Sequence, residues 1–358
     1  MTTTTTTPAQ TPDTPVEDSS PNLLKRLAGT QAVWILGVLV VLVAFFSVMG
    51  GDRFLSADNF SLISQNLAVL AVLGVGMTFI IITSGIDLSV GSVLVFASVI
   101  SAKLMATVGG DGPAVVLIGI LSATVAGAAW GWLNGFLVAK AKIPPLIVTL
   151  GSLSAALGLA YVLSAGVNIG VDATSLTDFG IYTRILGLPA LPLLALLVVV
   201  VGGIALHRTK FGRHTYAIGS NEEAAKRVGI NVDRHLIIVY LMTGLLAGVG
   251  AVMYLAQFGT TTIGGQSLTN LNVIAAVVIG GTSIFGGSGS MFGTMVGLFI
   301  PAVLQSGFVI IGVDPFWQGI AVGAVLIAAV YIDQTRRAAA LRGSKSTGAI
   351  SKLLGRTK

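Results

Sequence analysis

Asp87 is the residue whose type and place most invite chemistry, a carboxylate inside a long apolar stretch, just after Gly85 and just before a second apolar run. A charge in such surroundings is expensive and by default marks a substrate contact or a gate. A position after a glycine and before a helix also suits a side chain that caps free N–H groups at the positive end of a helix dipole. The sequence alone leaves both readings open. The other polar residues set in apolar runs are amides and hydroxyls: Gln65, Asn66, Ser89, Asn134, Gln257, Asn270, Asn272 and Gln305. Groups of this kind can line a path for a neutral, hydroxyl-rich solute, or make interhelical hydrogen bonds worth roughly 0.6 to 2 kcal/mol.

Other chemistries are poorly supplied. From Leu236 to Val313 no side chain is formally charged, so that stretch offers neither a carboxylate relay for protons nor an anionic cage for sodium. The chain has no cysteine, which excludes a disulfide framework, a thiolate metal site and a cysteine nucleophile. Its three histidines, His207, His214 and His235, stand in charged segments, which argues against an intramembrane metal site. The phosphate-binding pattern G-x-x-x-x-G-K-[ST] is missing, and the glycine-rich stretch 280–293 lacks its lysine. ATP, with its magnesium, would therefore be used by another polypeptide. The expectation is a chain that is not itself an enzyme and holds no cofactor or metal.

The elements that must position these residues are membrane spans. Of 358 residues 54% are hydrophobic and 9% charged, against about 25% charged in a soluble domain, and the mean hydropathy is +0.92. Runs of about 20 apolar residues, enough to cross a hydrocarbon core of about 30 Å, recur along the chain. They predict an all-α polytopic membrane protein of about ten spans, near 31–50, 61–83, 88–107, 114–139, 146–165, 188–206, 236–257, 270–281, 291–311 and 316–332. With the N-terminus cytoplasmic, ten crossings put both termini on that side. Of the 20 basic residues all but Arg53, Lys103 and Arg184 then fall there, as the resistance of Lys and Arg to translocation requires. The external loops are expected to be short and mildly acidic.

Residues 1–28 read as a disordered cytoplasmic tail without the marks of a secretory signal, 29–333 as the transmembrane domain, and 334–358 as a basic cytoplasmic tail suited to anionic lipid rather than nucleic acid. The 46 glycines suit close helix packing in lipid. Two spans are interrupted, one at Thr83-Ser84-Gly85-Ile86-Asp87-Leu88-Ser89-Val90-Gly91-Ser92 and one across 280–290. Both predict broken or re-entrant helices, which survive at membrane depth only where protein or water satisfies the backbone. Their shared pattern, TSG…GS and TSI…GS, hints at an internal repeat. Within the charged loop 207–235, Ser220 or Asn221 can cap a short helix whose first turn holds Glu222 and Glu223, whose last turn holds Lys226 and Arg227, and which Gly229 stops. Such a compact helix outside the membrane suits docking of a partner, though a plain connector would have the same pattern.

These blocks resemble the permease subunits of bacterial ATP-binding-cassette importers for ribose, xylose, arabinose and galactosides. The resemblance rests on Gly76-Met77-Thr78 with the Thr83–Ser92 block, on Thr209-Lys210-Phe211-Gly212-Arg213, on Ala217 to Ala225 with Gly229-Ile230, and on Ile274 to Ser283 with Gly286, Gly287 and Gly289, in the family's order over residues 55–335. It implies a pore made by two permease chains, with a second copy as the expected partner, a separate ATPase, and an external binding protein that delivers a monosaccharide across the bacterial cytoplasmic membrane. It also implies that Glu222, Glu223, Ala224, Ala225 and Gly229 couple the pore to the ATPase. Gln65, Asn66, Asp87, Ser89, Asn134, Asn270 and Asn272 stand as the candidate substrate path, with Asn270 and Asn272 neutral where many relatives are acidic. Rival expectations are a related permease for branched-chain amino acids or nucleosides, a stand-alone ion-coupled sugar carrier, and a passive channel.

Overall fold

Apolar runs bounded by capping residues, glycine and proline become the helices that their lengths predict. The computed structural model describes residues 31–264 and 268–314, the side chains of 31–34 excepted, and isolated helical positions between 317 and 331. Among them are α1 (Gln31–Phe54), α2 (Ala57–Ile82), α3 (Val90–Val108), α4 (Pro113–Ala139), α5 (Pro145–Ser164), α6 (Thr174–Ile181), α7 (Ala190–Arg208), α8 (Lys210–Ser220), α9 (Glu222–Arg227), α10 (Val232–Phe258), α11 (Thr269–Ile279) and α12 (Met291–Ile310). Eight of these are long and apolar enough to cross a membrane, and α11 is a shorter apolar helix. The tenth expected span and both tails lie mostly or wholly outside the described residues. The protein is an all-α polytopic membrane protein.

Helix ends follow local chemistry. Pro113 and Pro145 open α4 and α5 where a missing N–H costs nothing. Ser56, Thr209, Asn221, Asn231 and Ser290 cap α2, α8, α9, α10 and α12 with side-chain oxygens. Gly259 ends α10 in the left-handed region at φ 65°.

The core is built around α2, whose residues from Leu67 to Ile82 are buried apart from Leu70. Beside it α4 and α10 cross at a glycine seam. A Cβ at Gly127 or Gly131 would strike the backbone of α10 at Gly244 or Tyr240, and one at Gly248 would strike α4 at Ala123. In lipid, where apolar surface gives helices little reason to associate, this approach supplies dispersion contacts that bulkier side chains would prevent. On the other flank α1 packs against α12, with the fully buried Phe46 lying over Gly307 and 5.8 Å from the Phe308 ring. The faces of α1, α4, α5 and α7 that turn away from the bundle remain apolar and exposed, as at Val48, Val125, Val162 and Leu197.

Two expectations change. The connection 165–189, expected as a short external loop, is not short: it holds α6 and a hairpin of β1 (Arg184–Ile185) and β2 (Leu188–Pro189), too polar and brief to register as elements in an apolar-run reading. The loop 207–235 contains two helices rather than one, and α10 starts at Val232 rather than near 236 because Asn231 caps it by accepting the Arg234 N–H at 3.0 Å. The eighth span keeps the shortness of its apolar run, 270–281: it is α11, with 11 residues and a length of about 16 Å, half of a hydrocarbon core.

Candidate functional site

Two groups of candidate residues meet the bundle at different levels. The inner end denotes the end that carries α8 and α9, where the basic residues gather; the outer end is the opposite one.

The first break begins where α2 runs out at Ile82. Thr83 returns its hydroxyl to the Ile80 carbonyl at 2.8 Å, and Ser84 takes the left-handed conformation at φ 63°. Irregular backbone follows until α3 starts at Val90. Asp87 is 4% exposed and one carboxylate oxygen accepts from the Ser89 N–H at 2.7 Å and the Ser89 hydroxyl at 2.6 Å. Asp87 therefore stabilises the turn that leads into α3, by bonding the residue just before the helix; α3 itself starts at Val90 with no side-chain cap. The Ser89 hydroxyl in turn accepts from Asn134 Nδ2 at 3.0 Å, and the Asn134 carbonyl accepts from the Ser152 hydroxyl. Thr149 adds a hydrogen bond to the Ile86 carbonyl at 3.1 Å. Asn134 and Ser152 lie five and seven residues from the inner ends of α4 and α5. That places Ser89 about 8–10 Å into the bundle.

The second half-helix meets this network. The N–H of Gly91, in the first turn of α3, donates to Asn270 Oδ1 near the start of α11. A side chain on Gly91 would collide with that oxygen, so glycine is needed for two helix starts to approach so closely. Asn272 lies two residues on, half-buried. The structure thus brings together Asp87, Ser89, Asn134 and Asn270. It places Gln65 and Asn66 elsewhere, nearer the outer end of α2, where Gln65 bonds Ser61 at 3.1 Å and Asn66 accepts from Gln257 at 3.2 Å. Sequence reasoning missed Thr149 and Ser152, because hydroxyls in apolar helices usually satisfy themselves on their own backbone and leave no distinguishing signal.

The inner end is organised by α8 and α9. Asn221 accepts the Ala224 N–H at 2.9 Å, and Lys226 pairs with Glu222 at 2.8 Å and Glu223 at 3.1 Å. The hydrogen bond to Glu222 is the main reason the Lys226 ammonium sits above its ordinary pKa. Gly229 ends the element at φ 85°. Ala225 is buried against Ile218 and Val232, whereas Glu222, Glu223, Ala224 and Gly229 are exposed and Val228, at 76%, projects an apolar tip. Behind this face His235 bonds Thr215 at 3.0 Å and packs 4.4 Å from the Phe211 ring, which fixes α8 on α10. Lys140 and Lys142 both reach Asp233, at 3.1 and 2.6 Å, and tie the α4–α5 loop to the same helix. α9 is therefore a capped, exposed element on a rigid seat.

The second break, 280–290, also lies at this end. Gly287 N–H donates to the Ile82 carbonyl at 2.9 Å, and Tyr216 Oη donates to the Gly289 carbonyl at 2.8 Å. Burial raises the pKa of the Tyr216 phenol, so it remains a donor. The two segments with the similar TS…GS pattern are in contact.

Comparison with known proteins accords with this architecture. A family described as branched-chain amino acid transport system / permease component matches residues 59–330. The fructose import permease protein FrcC of Rhizobium meliloti is 37% identical over 85% of this chain and 85% of its own length. The ribose import permease protein RbsC of Escherichia coli K12 is 36% identical over 84% of this chain and 92% of its own. The xylose transport system permease protein XylH of Haemophilus influenzae is 32% identical over 86% and 97%. No solved structure matches. With its bundle of apolar helices, its inner α8–α9 seat, and these relatives aligned along most of its length, the chain belongs to the permease-component family that the residues 59–330 match defines.

Proposed function

We propose that this chain is the pore-forming permease of an ATP-driven importer that carries a monosaccharide across the bacterial cytoplasmic membrane. The observation that supports this most is the similarity, over more than four-fifths of the chain, to permeases named for fructose, ribose and xylose import. The name of the matched family also raises branched-chain amino acids, but the relatives aligned along most of this chain are named for sugars.

In this reading a second permease chain completes the pore, an external binding protein delivers the sugar at the outer end, and a separate ATPase grips α9. Glu222, Glu223, Ala224, Ala225 and Gly229 form that grip, with Val228 as its apolar tip. ATP binding draws the ATPase pair together, displaces α9 and biases the bundle between outward-facing and inward-facing states. The ATPase, not this chain, binds ATP and magnesium. Both tails lie in the cytoplasm. Asp87, Ser89 and Asn134 hold the first break in shape beside the path, and Asn270 and Asn272, at the start of the half-helix, meet the passing solute; Gln65 and Asn66 line a position nearer the outer end.

The test is transport by proteoliposomes that contain the permease, its ATPase and its binding protein, offered labelled pentoses, hexoses, polyols and leucine. Uptake of one sugar that needs all three components and ATP supports the reading. Uptake by the permease alone, or of leucine only, would replace it.

A further inference from the structure

Three segments meet at one point of the inner end, and two of them contribute glycines that can be no larger. Gly219, in the last turn of α8 and three residues before α9 begins, lies flat on the Ile82 carbonyl that ends α2; a Cβ there would also stand 2.6 Å from the Gly287 nitrogen. Gly286 lies against the Ser84 hydroxyl, and a Cβ on it would stand 2.9 Å from both the Gly219 and the Ile82 carbonyls. Gly287 rests on Ser220, where a Cβ would come within 2.6 Å of the hydroxyl. Between these backbones stands Ser84, whose Oγ is 2.9 Å from the Phe285 carbonyl and 3.3 Å from the Gly219 carbonyl.

A hydroxyl has one proton to give. Ser84 therefore bonds Phe285 in this arrangement, with Gly219 as the second acceptor just beyond ordinary O–H···O length. Because backbone touches backbone at Gly219 and Gly287, no side chain can yield between them. A shift of α8 must move the end of α2 and the 280–290 segment with it.

We infer that Ser84, Gly219 and Gly287 form a junction that passes displacement of α9 directly to both helix breaks, with Ser84 a positioning residue whose hydroxyl trades between the Phe285 and Gly219 carbonyls. This rests on the importer reading and adds to it a route from the ATPase seat to the pore. The first break carries the motion on through Asp87 and Ser89 to Asn134 and Ser152, and the second break heads α12.

The experiment uses the complete reconstituted transporter and reads two rates, ATP hydrolysis stimulated by sugar-loaded binding protein, and sugar uptake. Ser84→Gly removes the hydroxyl while relieving the left-handed backbone, so it should fold at least as well as the parent. The expected result is hydrolysis within about twofold of the parent and uptake lower by about tenfold, the size of an ordinary coupling energy between sites. Gly219→Ala, which wedges the junction apart, should show the same split, and its assembly with the ATPase is checked by co-purification. Unchanged uptake in both variants overturns the inference, and so does a parallel fall of hydrolysis and uptake in Ser84→Gly. A parent complex that shows no ATP-dependent uptake at all would instead defeat the importer reading on which the inference stands.

Discussion

The two ends of the bundle are held by different physics. At the inner end, backbone meets backbone through Gly219, Gly286 and Gly287, and named hydrogen bonds join segments far apart in sequence. Toward the outer end a groove of about 680 Å³ opens between α4, α6, α7 and α10, walled by Leu117, Ile120, Leu176, Phe179, Leu191 and Met253 among other apolar side chains. Specific outer contacts include loop pairings, as where 168–171 pair with 259–263, and the bond from Gln257 on α10 to Asn66 on α2. The contrast teaches where substitution should be felt: the backbone contacts of the inner end leave no room for a larger residue, whereas generic apolar contacts like those of the outer groove can re-form in more than one arrangement.

Substitutions should expose that difference in order of size. Gly131→Leu in the seam that runs between the two ends would drive a side chain into the α10 backbone at Tyr240 and Gly244. The expected cost is above about 4 kcal/mol, and little folded protein should elute as a single species in mild detergent. Folded, transport-competent Gly131→Leu protein would refute the close-packed seam. Asp87→Leu would leave the Ser89 N–H and hydroxyl without their acceptor, at about 1–3 kcal/mol each, whereas Asp87→Asn keeps one acceptor and should lose less. Thermal midpoints in detergent check that order, and equal loss in both would mean that the charge itself matters rather than the turn.

Toward the outer end, Ile120→Ala should cost under about 1 kcal/mol, because the side chain is already 39% exposed on the groove wall. A loss as large as that of Asp87→Leu would break the comparison.

The smallest effect belongs to the loop tie at Asp111, which accepts from the Thr174 hydroxyl and from the Ser175 N–H at 2.7 Å. The Thr174 hydrogen bond, more than any other influence, holds the Asp111 carboxyl below its ordinary pKa. Its contribution is present above the unfolded value of about 3.9 and is lost as pH falls through the lowered folded value. Asp111→Asn should therefore match the parent's thermal midpoint in strong acid and trail it slightly at neutral pH. A gap that widened toward acid would contradict the assignment.

Much of this was legible in the sequence. The spans follow from apolar length, and the half-length of α11 was visible as a run of about a dozen residues before the glycine stretch. α9 as a capped helix ending at Gly229 was readable because capping is local chemistry, whereas Asp87 holds the turn before α3 rather than capping the helix itself. The hairpin near Leu188 and the separate helix α8 were not, since short pieces of this kind lack the long apolar run by which the spans were read, although Thr209 does cap α8. The pairing of Asn134 with Ser89, and the separation of Gln65 and Asn66 from both, depend on which helices are neighbours, which no span length encodes. The similar TS…GS breaks read as a hint of an internal repeat; that they touch, as at Ser84 and Phe285, is a matter of packing that the pattern does not encode.

The central claim is that ATP, not an ion gradient, drives a sugar through this chain. Uptake of the cognate labelled sugar should be measured in cells with and without the gene, once under an uncoupler with ATP kept high and once with ATP depleted. The account predicts uptake that requires the gene, survives the uncoupler and disappears with ATP. Uptake that collapses with the gradient while ATP stays high would contradict it.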